Sequence, residues 1–111
     1  MTKEFFKKVL NETLESISHT LGIKAMEYIR NGDAMHNFNI GSQMTGQTRE
    51  KVIYGFALKH HISINDMRND IEKGIIPTKE KVEEKYNDAI NYFILEKASI
   101  LERIEKENKI D

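Results

Sequence analysis

The sequence predicts an all-α fold, a small bundle of three long helices and one short helix that oligomerisation completes. Apolar residues recur at three- and four-residue spacing over most of the 111 residues, proline occurs once, and helix-capping residues bound each periodic stretch. A chain of this length is expected to form one domain, residues 1–111. Because three helices leave little depth for a core, we expect a homo-oligomer in which copies cover the remaining apolar surface.

The first helix is expected over about residues 3–30. Its apolar positions form one stripe, which consists of Phe6, Leu10, Leu14, Ile17, Leu21 and Tyr28. Gly22 interrupts the stripe at a cost of roughly 1 kcal/mol relative to Ala, but the spacing continues in phase beyond it. Asn31 and Gly32 then supply the left-handed conformation that ends a helix.

A short helix is expected over residues 36–45 and a second long helix over residues 49–73. Phe38 and Met44 are expected to anchor the short helix against its neighbours. Thr48 is the expected N-cap of the long helix. The apolar stripe of that helix consists of Ile53, Ala57, His60, Ile64, Met67 and Ile71.

The last helix is expected over about residues 79–104, followed by a frayed tail at 105–111. Thr78 is its expected N-cap. One face is apolar and consists of Val82, Tyr86, Ile90, Phe93, Ile100 and Ile104. Leu95 and Ala98 lie roughly opposite. Because a helix that is apolar on two sides is normally packed between neighbours, we expect this helix to be central.

Composition and charge narrow the classes of function. With 39% hydrophobic and 32% charged residues and a formal net charge of −1, the chain is globular and has no overall positive field for nucleic acid or an anionic membrane. The lack of cysteine excludes disulfides and thiolate metal sites. Since neither an apolar leader nor a membrane-length apolar run is visible, we expect a cytoplasmic protein of a cell, or of a virus acting inside one.

Two carboxylates on the last helix are the strongest candidates for chemistry. Glu84 and Asp88 lie one turn apart and share a face, and Asn91 continues the same line. Carboxylates at this spacing can share Mg²⁺, whose other positions are filled by water and substrate phosphate. The alternative is a solvated helix face. The line runs into Leu95 and Ala98, however, which favour burial, and this arrangement is typical of the border of a cleft.

Two further groups of polar residues are candidates for binding. Lys59 and Asp66 share a polar stripe of the second long helix, and Lys59 beside a bound cation could contact a phosphate. An ordinary ion pair is the alternative. His60 lies on the apolar stripe and is interpreted as a core or interface histidine. The end of the first helix and the polar turn after it gather Glu27, Arg30, His36 and Asn37. Capping alone does not explain these residues together, so we expect one wall of the cleft there.

At this point the sequence resembles a known group of proteins. The motifs that carry the resemblance are KAMEY at 24–28, GD at 32–33, HNF at 36–38, GFALKH at 55–60, SIND at 63–66 and EKYNDAINY at 84–92. Together they resemble small phage and prophage proteins, which are similar in turn to MazG-like all-α nucleotide pyrophosphohydrolases and to phage helical proteins associated with nucleotide modification. The resemblance spans roughly residues 21–98, and the last motif is its most specific part.

The resemblance implies Mg²⁺ and a nucleotide ligand. In that superfamily, paired acids on helices hold Mg²⁺ against the triphosphate of a nucleotide, and Glu84 and Asp88 correspond to the Glu and Asp of the last helix. Glu27 and Asp66 would complete the metal site. The E-x-x-E pair of the preceding helix is absent, and the two acids of the last helix are four residues apart rather than three.

Two hypotheses of function follow. The first is a phage-encoded, Mg²⁺-dependent nucleoside triphosphate pyrophosphohydrolase with Glu84 and Asp88 as catalytic residues, in which a metal-polarised water attacks the α–β phosphate linkage. The substrate-binding residues would be Lys59, Arg30 and His36 for the phosphates and Asn37 or Asn91 for the base or sugar. The second is a non-catalytic phage protein that sequesters a nucleotide signal or blocks a host defence protein in the host cytoplasm. An assembly protein without nucleotide affinity is a third possibility.

Overall fold

The structure, a computed structural model, describes residues 1–24 and 32–110 and confirms the all-α class. Its helices are α1 at Lys3–Ser18, which continues as a π-helix at His19–Lys24, α2 at His36–Thr45, α3 at Arg49–Glu72 and α4 at Lys79–Ile110. Within the described ranges no strand occurs. None of the helices described is both long and apolar enough to cross a membrane.

The chain forms two compact units, Met1–Ala34 and Met35–Asp111. The first unit contains α1, which begins after Thr2, whose hydroxyl accepts a hydrogen bond from the backbone N–H of Phe5 at 3.1 Å. None of the side chains of α1 is buried. The predicted apolar stripe is therefore largely open, and Leu14, for example, is 55% exposed.

The π-helix contains Gly22, the residue at which the sequence predicts an interruption. Each N–H in a π-helix bonds to the carbonyl five residues before it, so the backbone is wider there than in α1. The predicted continuation of this helix to Arg30 lies outside the described residues. Gly32 adopts a positive φ of 71°, the left-handed conformation expected of a helix stop.

The second unit is built on the antiparallel pairing of α3 with α4. Thr48 caps α3 as predicted, since its hydroxyl accepts a hydrogen bond from the backbone N–H of Lys51 at 3.3 Å. Four residues of the predicted stripe are at most 3% exposed, namely Ile53, Ala57, Ile64 and Met67. The buried stripe ends before Ile71, which is 51% exposed.

The short helix α2 packs across the α3–α4 pair through Phe38. This side chain is 7% exposed, shares an apolar cluster with Val52 and meets the ring of Phe56 edge-on at 5.4 Å. The two helices approach closely at Gly41, where a Cβ atom would lie 2.8 Å from Cγ1 of Val52. Met44, the other predicted anchor, is 81% exposed, so that prediction is wrong: Met44 projects from α2 into solvent.

The last helix is longer than the sequence predicts. Thr78 caps it as expected, accepting a hydrogen bond from the backbone N–H of Lys81 at 3.3 Å. The helix then continues to Ile110 instead of fraying after Ile104. Apolar periodicity ends near Ile104, but the Glu and Lys residues that follow are good helix formers and carry the helix further.

The two apolar sides of α4 have different surroundings. The side that includes Tyr92 and Leu95 packs against the apolar cluster around Phe38. The predicted apolar face is mostly exposed, at 38% for Tyr86, 58% for Phe93, 44% for Ile100 and 50% for Ile104. The sequence predicts neighbours on both sides of α4. Among the residues that the structure describes, neighbours cover only one of the two sides.

Two glycines in neighbouring helices provide a matched test of this packing. Gly41→Ala should lower the free energy of unfolding by about 1–2 kcal/mol, because the new methyl group would overlap Val52. Gly55→Ala in α3 meets no atom within 4 Å and should raise it by about 0.5–1 kcal/mol, since Ala loses less backbone entropy. Urea unfolding measures both, and effects of the same sign would contradict the close approach of α2 to α3.

Candidate functional site

The two predicted acids of α4 lie on a partly exposed flank of the helix. The side chain of Glu84 is 63% exposed, and its carboxylate lies 3.6 Å from the ammonium group of Lys85. Asp88, one turn further on, is 41% exposed and faces α3, where its Oδ2 lies 3.7 Å from Nδ1 of His60. The structure thus places the two acids one turn apart, but each has a different partner.

His60 and Tyr92 connect α3 to α4 beside Asp88. Their rings are stacked, with centroids 5.7 Å apart and 29° between the planes. Nδ1 of His60 is buried without a hydrogen-bond partner in the described ranges, because 3.7 Å to Asp88 is too long for a hydrogen bond. Burial, and to a smaller extent the charge of Asp88, raises the pKa of Tyr92, so its hydroxyl remains a donor at neutral pH.

Asn91 is the most buried of the predicted site residues that the structure describes, at 7% exposed. Its Oδ1 is buried and finds no hydrogen-bond donor among those residues. Buried polar atoms in folded proteins are almost always paired, and an unpaired one costs on the order of 1–3 kcal/mol. Two such atoms therefore flank Tyr92 in different ways: His60 carries one on the ring stacked against Tyr92, and Asn91 carries the other one residue earlier, about a third of a turn around α4.

The start of α2 lies at the same place. Met35, the residue before α2, belongs to the apolar cluster against which Tyr92 packs. The N-cap residue, Met35, makes no side-chain capping hydrogen bond, and the first turn contains no acid. The first N–H groups of a helix attract anions, so negative charge is favoured near this end of α2.

The other predicted binding residues are at the surface or outside the described residues. The exposed ones are Lys59 and Asp66 on α3 and Asn37 on α2. His36 is half-buried as the first residue of α2. Glu27 and Arg30 lie outside the described residues. The structure therefore places Asp88 and Asn91 within one turn of α4, and His36 at the start of α2 beside Met35, whose apolar cluster Tyr92 packs against.

A magnesium centre can be tested against the acids of this region. Carboxylates are suitable ligands, and Glu84 and Asp88 supply two of them. In residues 1–24 and 32–110, however, no three His, Asp or Glu side chains come together in a way that could hold a metal ion. Asp66 does not complete the set, and Glu27 lies outside these ranges. The residues that the structure describes do not by themselves fit a dedicated Mg²⁺ site.

A second polar cluster, which the sequence analysis missed, joins α3 to α4 near the start of α3. Arg49 is 8% exposed and donates from Nε to the hydroxyl of Ser99 at 2.6 Å and from Nη2 to Glu102 at 3.1 Å. Ser99 in turn donates to Glu50, and Arg103 holds the same carboxylate at 2.8 Å. We call these five residues the arginine clamp.

Each carboxylate of the arginine clamp is paired with an arginine, Glu50 with Arg103 and Glu102 with Arg49. The hydrogen bond from Arg103 is the main cause that lowers the pKa of Glu50 to about 2, and the one from Arg49 lowers the pKa of Glu102. A cavity of about 390 Å³ beside the clamp is lined by Asn39, Ser42, Gln43, Arg49, Glu102, Arg103 and Lys106. Because Glu50 and Glu102 already bind the two arginines, we interpret this cluster as structural rather than as a ligand site.

One sequence signal could have revealed the clamp. Ser99 lies seven residues after Tyr92 and therefore on the same side of α4, where it is fully buried. A small polar residue at an otherwise buried position requires a polar partner. The sequence does not show that this partner is Arg49, fifty residues away.

Comparison of the chain with protein-family models, with curated proteins and with solved structures gave no match. The resemblance to MazG-like proteins stays a prediction from the quoted motifs. The chemistry of the site must therefore be derived from its own groups. Asn91 and Asp88 offer oxygen acceptors, Tyr92 offers a hydroxyl donor and a ring, and the start of α2 favours an anion. This set can bind a polar ligand that combines N–H or O–H donors with negative charge.

The lowered pKa of Glu50 predicts how stability depends on pH. A carboxyl group whose pKa falls on folding stabilises the protein above its unfolded pKa, about 4.3, and loses that contribution as the pH falls towards 2. Glu50→Gln should therefore lower the free energy of unfolding by on the order of 1–2 kcal/mol at pH 7. This difference should shrink steeply as the pH falls towards 2, where about half of the wild-type carboxyl is protonated in the folded protein.

Urea unfolding between about pH 2 and pH 7 measures this dependence, because the Glu50 carboxyl titrates within that range in both the folded and the unfolded protein. Glu107→Gln is the matched control, because Glu107 is exposed on α4 and has no ion-pair partner among the described residues. A Glu50→Gln difference that stayed constant over this pH range would contradict the role of the charged carboxylate.

Proposed function

We propose that this protein binds a nucleotide-like small molecule at the face where α4 meets the start of α2, and that binding rather than hydrolysis is its activity. The observation that carries the proposal is a pair of buried polar atoms, Oδ1 of Asn91 and Nδ1 of His60. Neither has a hydrogen-bond partner among the described residues, although Nδ1 of His60 lies 3.7 Å from the carboxylate of Asp88. A protein whose only requirement was stability would favour apolar side chains at such positions. A bound ligand would supply the missing partners.

The unpaired atoms favour a particular kind of ligand group. Oδ1 of Asn91 is an acceptor and requires an N–H or O–H donor, and the half-exposed carboxylate of Asp88 has the same requirement. The amino groups of a base and the hydroxyls of a sugar are such donors. The stacked rings of His60 and Tyr92 add an aromatic edge beside them.

The phosphates of the ligand would lie at the start of α2. The N–H groups at a helix start favour negative charge, and the first turn of α2 contains no acid. His36 is in that first turn. Lys59 is exposed on α3, one residue before His60, and could contact the outer phosphates. A ligand with donors at one end and negative charge at the other would match both halves of the site.

Binding is favoured over hydrolysis because the described acids do not assemble a metal centre. Glu84 and Asp88 have separate partners, Lys85 and His60. Mg²⁺ carried by the phosphates of a ligand could still contact Asp88 from outside. When bound, the ion would offset phosphate charge. A protein of this kind would lower the free concentration of its ligand, as expected of a sequestering protein.

A thermal-shift screen of nucleoside mono-, di- and triphosphates and cyclic nucleotides, with and without Mg²⁺, tests the proposal. At about 100 times the dissociation constant a ligand should raise Tm by on the order of 5–10 °C. Asp88→Asn should reduce the shift, because the charged acceptor is lost. Glu83→Gln is the matched control, since Glu83 lies on another side of the same helix and pairs with Lys79.

The fate of each stabilising ligand separates the hypotheses. Chromatography should recover it intact after prolonged incubation with the protein and Mg²⁺. Release of pyrophosphate or monophosphate that Asp88→Asn abolishes would establish the hydrolase instead. Absence of a shift with every nucleotide would reject nucleotide binding.

Asn91→Leu should separate binding from stability. Leucine has nearly the same size but no polar atoms, so the free protein should gain about 1 kcal/mol in the free energy of unfolding while the nucleotide-dependent shift is lost. Thermal unfolding with and without ligand measures both effects. A less stable variant would indicate that the amide already has its partners in the free protein, and a retained ligand shift would exclude Asn91 from the site.

A further inference from the structure

The exposed face of α4 carries a regular apolar pattern that the proposed ligand site does not use. Its positions follow each other at alternating four- and three-residue spacing and consist of Tyr86, Ile90, Phe93, Lys97, Ile100 and Ile104. We call them the outer stripe. All but Lys97 are apolar, and four of them are 38–58% exposed. This spacing is the seam pattern of helices that pack lengthwise against another helix.

The outer stripe is separate from the face of α4 that packs inside the chain. Ala89 and Ser99 are buried on that inner face, and Tyr92 between them packs against the apolar cluster that includes Phe38. Phe93, one residue after Tyr92, lies about a third of a turn away. Its ring meets His61 of α3 edge-on, at 5.4 Å between centroids.

We propose that a second copy of the chain covers the outer stripe, with α4 packed antiparallel against α4 of the partner. A two-fold axis near residue 95 would then place residue 86 opposite 104 and residue 90 opposite 100. The same operation places Lys97 of each copy opposite Phe93 of the other. An interface between identical copies must be self-complementary in this way.

Lys97 decides between the two orientations. In a parallel pair it would face itself, and two like charges would lie within the apolar seam. In the antiparallel pair its ammonium group can lie over the ring of Phe93, an attraction of on the order of 0.5–1 kcal/mol. The single polar residue of the outer stripe is therefore compatible with one orientation only.

The area available is sufficient for a specific contact. The large apolar residues exposed on this side of α4 are Tyr86, Phe93, Ile94, Ile100, Leu101 and Ile104, each 38–58% exposed. Covering them would bury on the order of 600 Å² per copy, close to the ~800 Å² of a standard interface. Tyr54 of α3, which is 53% exposed and stacks on His61 beside Phe93, extends the surface.

Sedimentation equilibrium of the full chain over a range of concentrations tests the interface. Wild type should dimerise, and Ile100→Glu should weaken dimerisation at least about tenfold because it buries an unpaired charge. Since Ile100 is 44% exposed, the helix content of the variant should be unchanged by circular dichroism. Leu14→Glu, at a similarly exposed position of α1, is the matched control and should dimerise like wild type.

The orientation can be tested because the chain contains no cysteine. Tyr86→Cys and Ile104→Cys proteins should form a disulfide-linked dimer when mixed and oxidised, and neither should do so alone. Cross-linking of each variant with itself would indicate a parallel pair and overturn the proposal. A monomeric wild type, or a dimer that Leu14→Glu disrupts and Ile100→Glu does not, would also overturn it. Loss of nucleotide binding in the Asp88→Asn protein would leave these outcomes unchanged.

Discussion

The lengthwise packing of α3 against α4 fixes the position of every other feature of the second unit. The fully buried Ile53 and nearly buried Ala57, Ile64 and Met67 form one seam, and α4 meets it with small residues that allow close approach. At one end of this seam the arginine clamp fixes the register through Ser99. The register in turn places Asp88 against His60 in the middle of the pair and turns the outer stripe away from it. One helix pair thus has a polar site on one side and an apolar surface on another.

The second unit contains two groups of buried polar side chains, and they differ in whether their polar atoms have hydrogen-bond partners. In the arginine clamp, Ser99 and Arg49 find hydrogen-bond partners, and a buried network of this kind stabilises one register against others. Beside Tyr92, the polar atoms of Asn91 and His60 have no such partner among the described residues. Unpaired groups in a fold that elsewhere pairs its buried polar atoms are characteristic of a binding site, where stability is given up for a ligand. This contrast favours function at Asn91 over the neighbouring cavity.

Local features of this fold could be predicted from the sequence, and non-local ones could not. The stripe of α3, the caps at Thr48 and Thr78 and the extent of α2 depend on residues within a turn or two, so periodicity and capping rules identify them. Periodicity also showed that α4 is apolar on two sides, but not which side would pack within the chain. Met44 is predicted to be an anchor because it is apolar, but its residue type does not show that it is exposed. The pairing of Arg49 with Ser99 depends on the register between α3 and α4, which the spacing of residues does not reveal. For the site, the sequence indicated Asp88 and Asn91, whereas the pairing of Asp88 with His60 required the structure.

The central claim is that a ligand binds where Asn91 and His60 lack hydrogen-bond partners among the described residues. NMR titration of ¹⁵N-labelled protein with the most stabilising nucleotide tests it most directly, because the side-chain amide of Asn91 and the ring nitrogens of His60 give their own signals. The account predicts saturable shifts centred on these two side chains and on the backbone of His36 at the start of α2. Shifts confined to Arg49, Arg103 and the cavity beside them, or none at all, would contradict it.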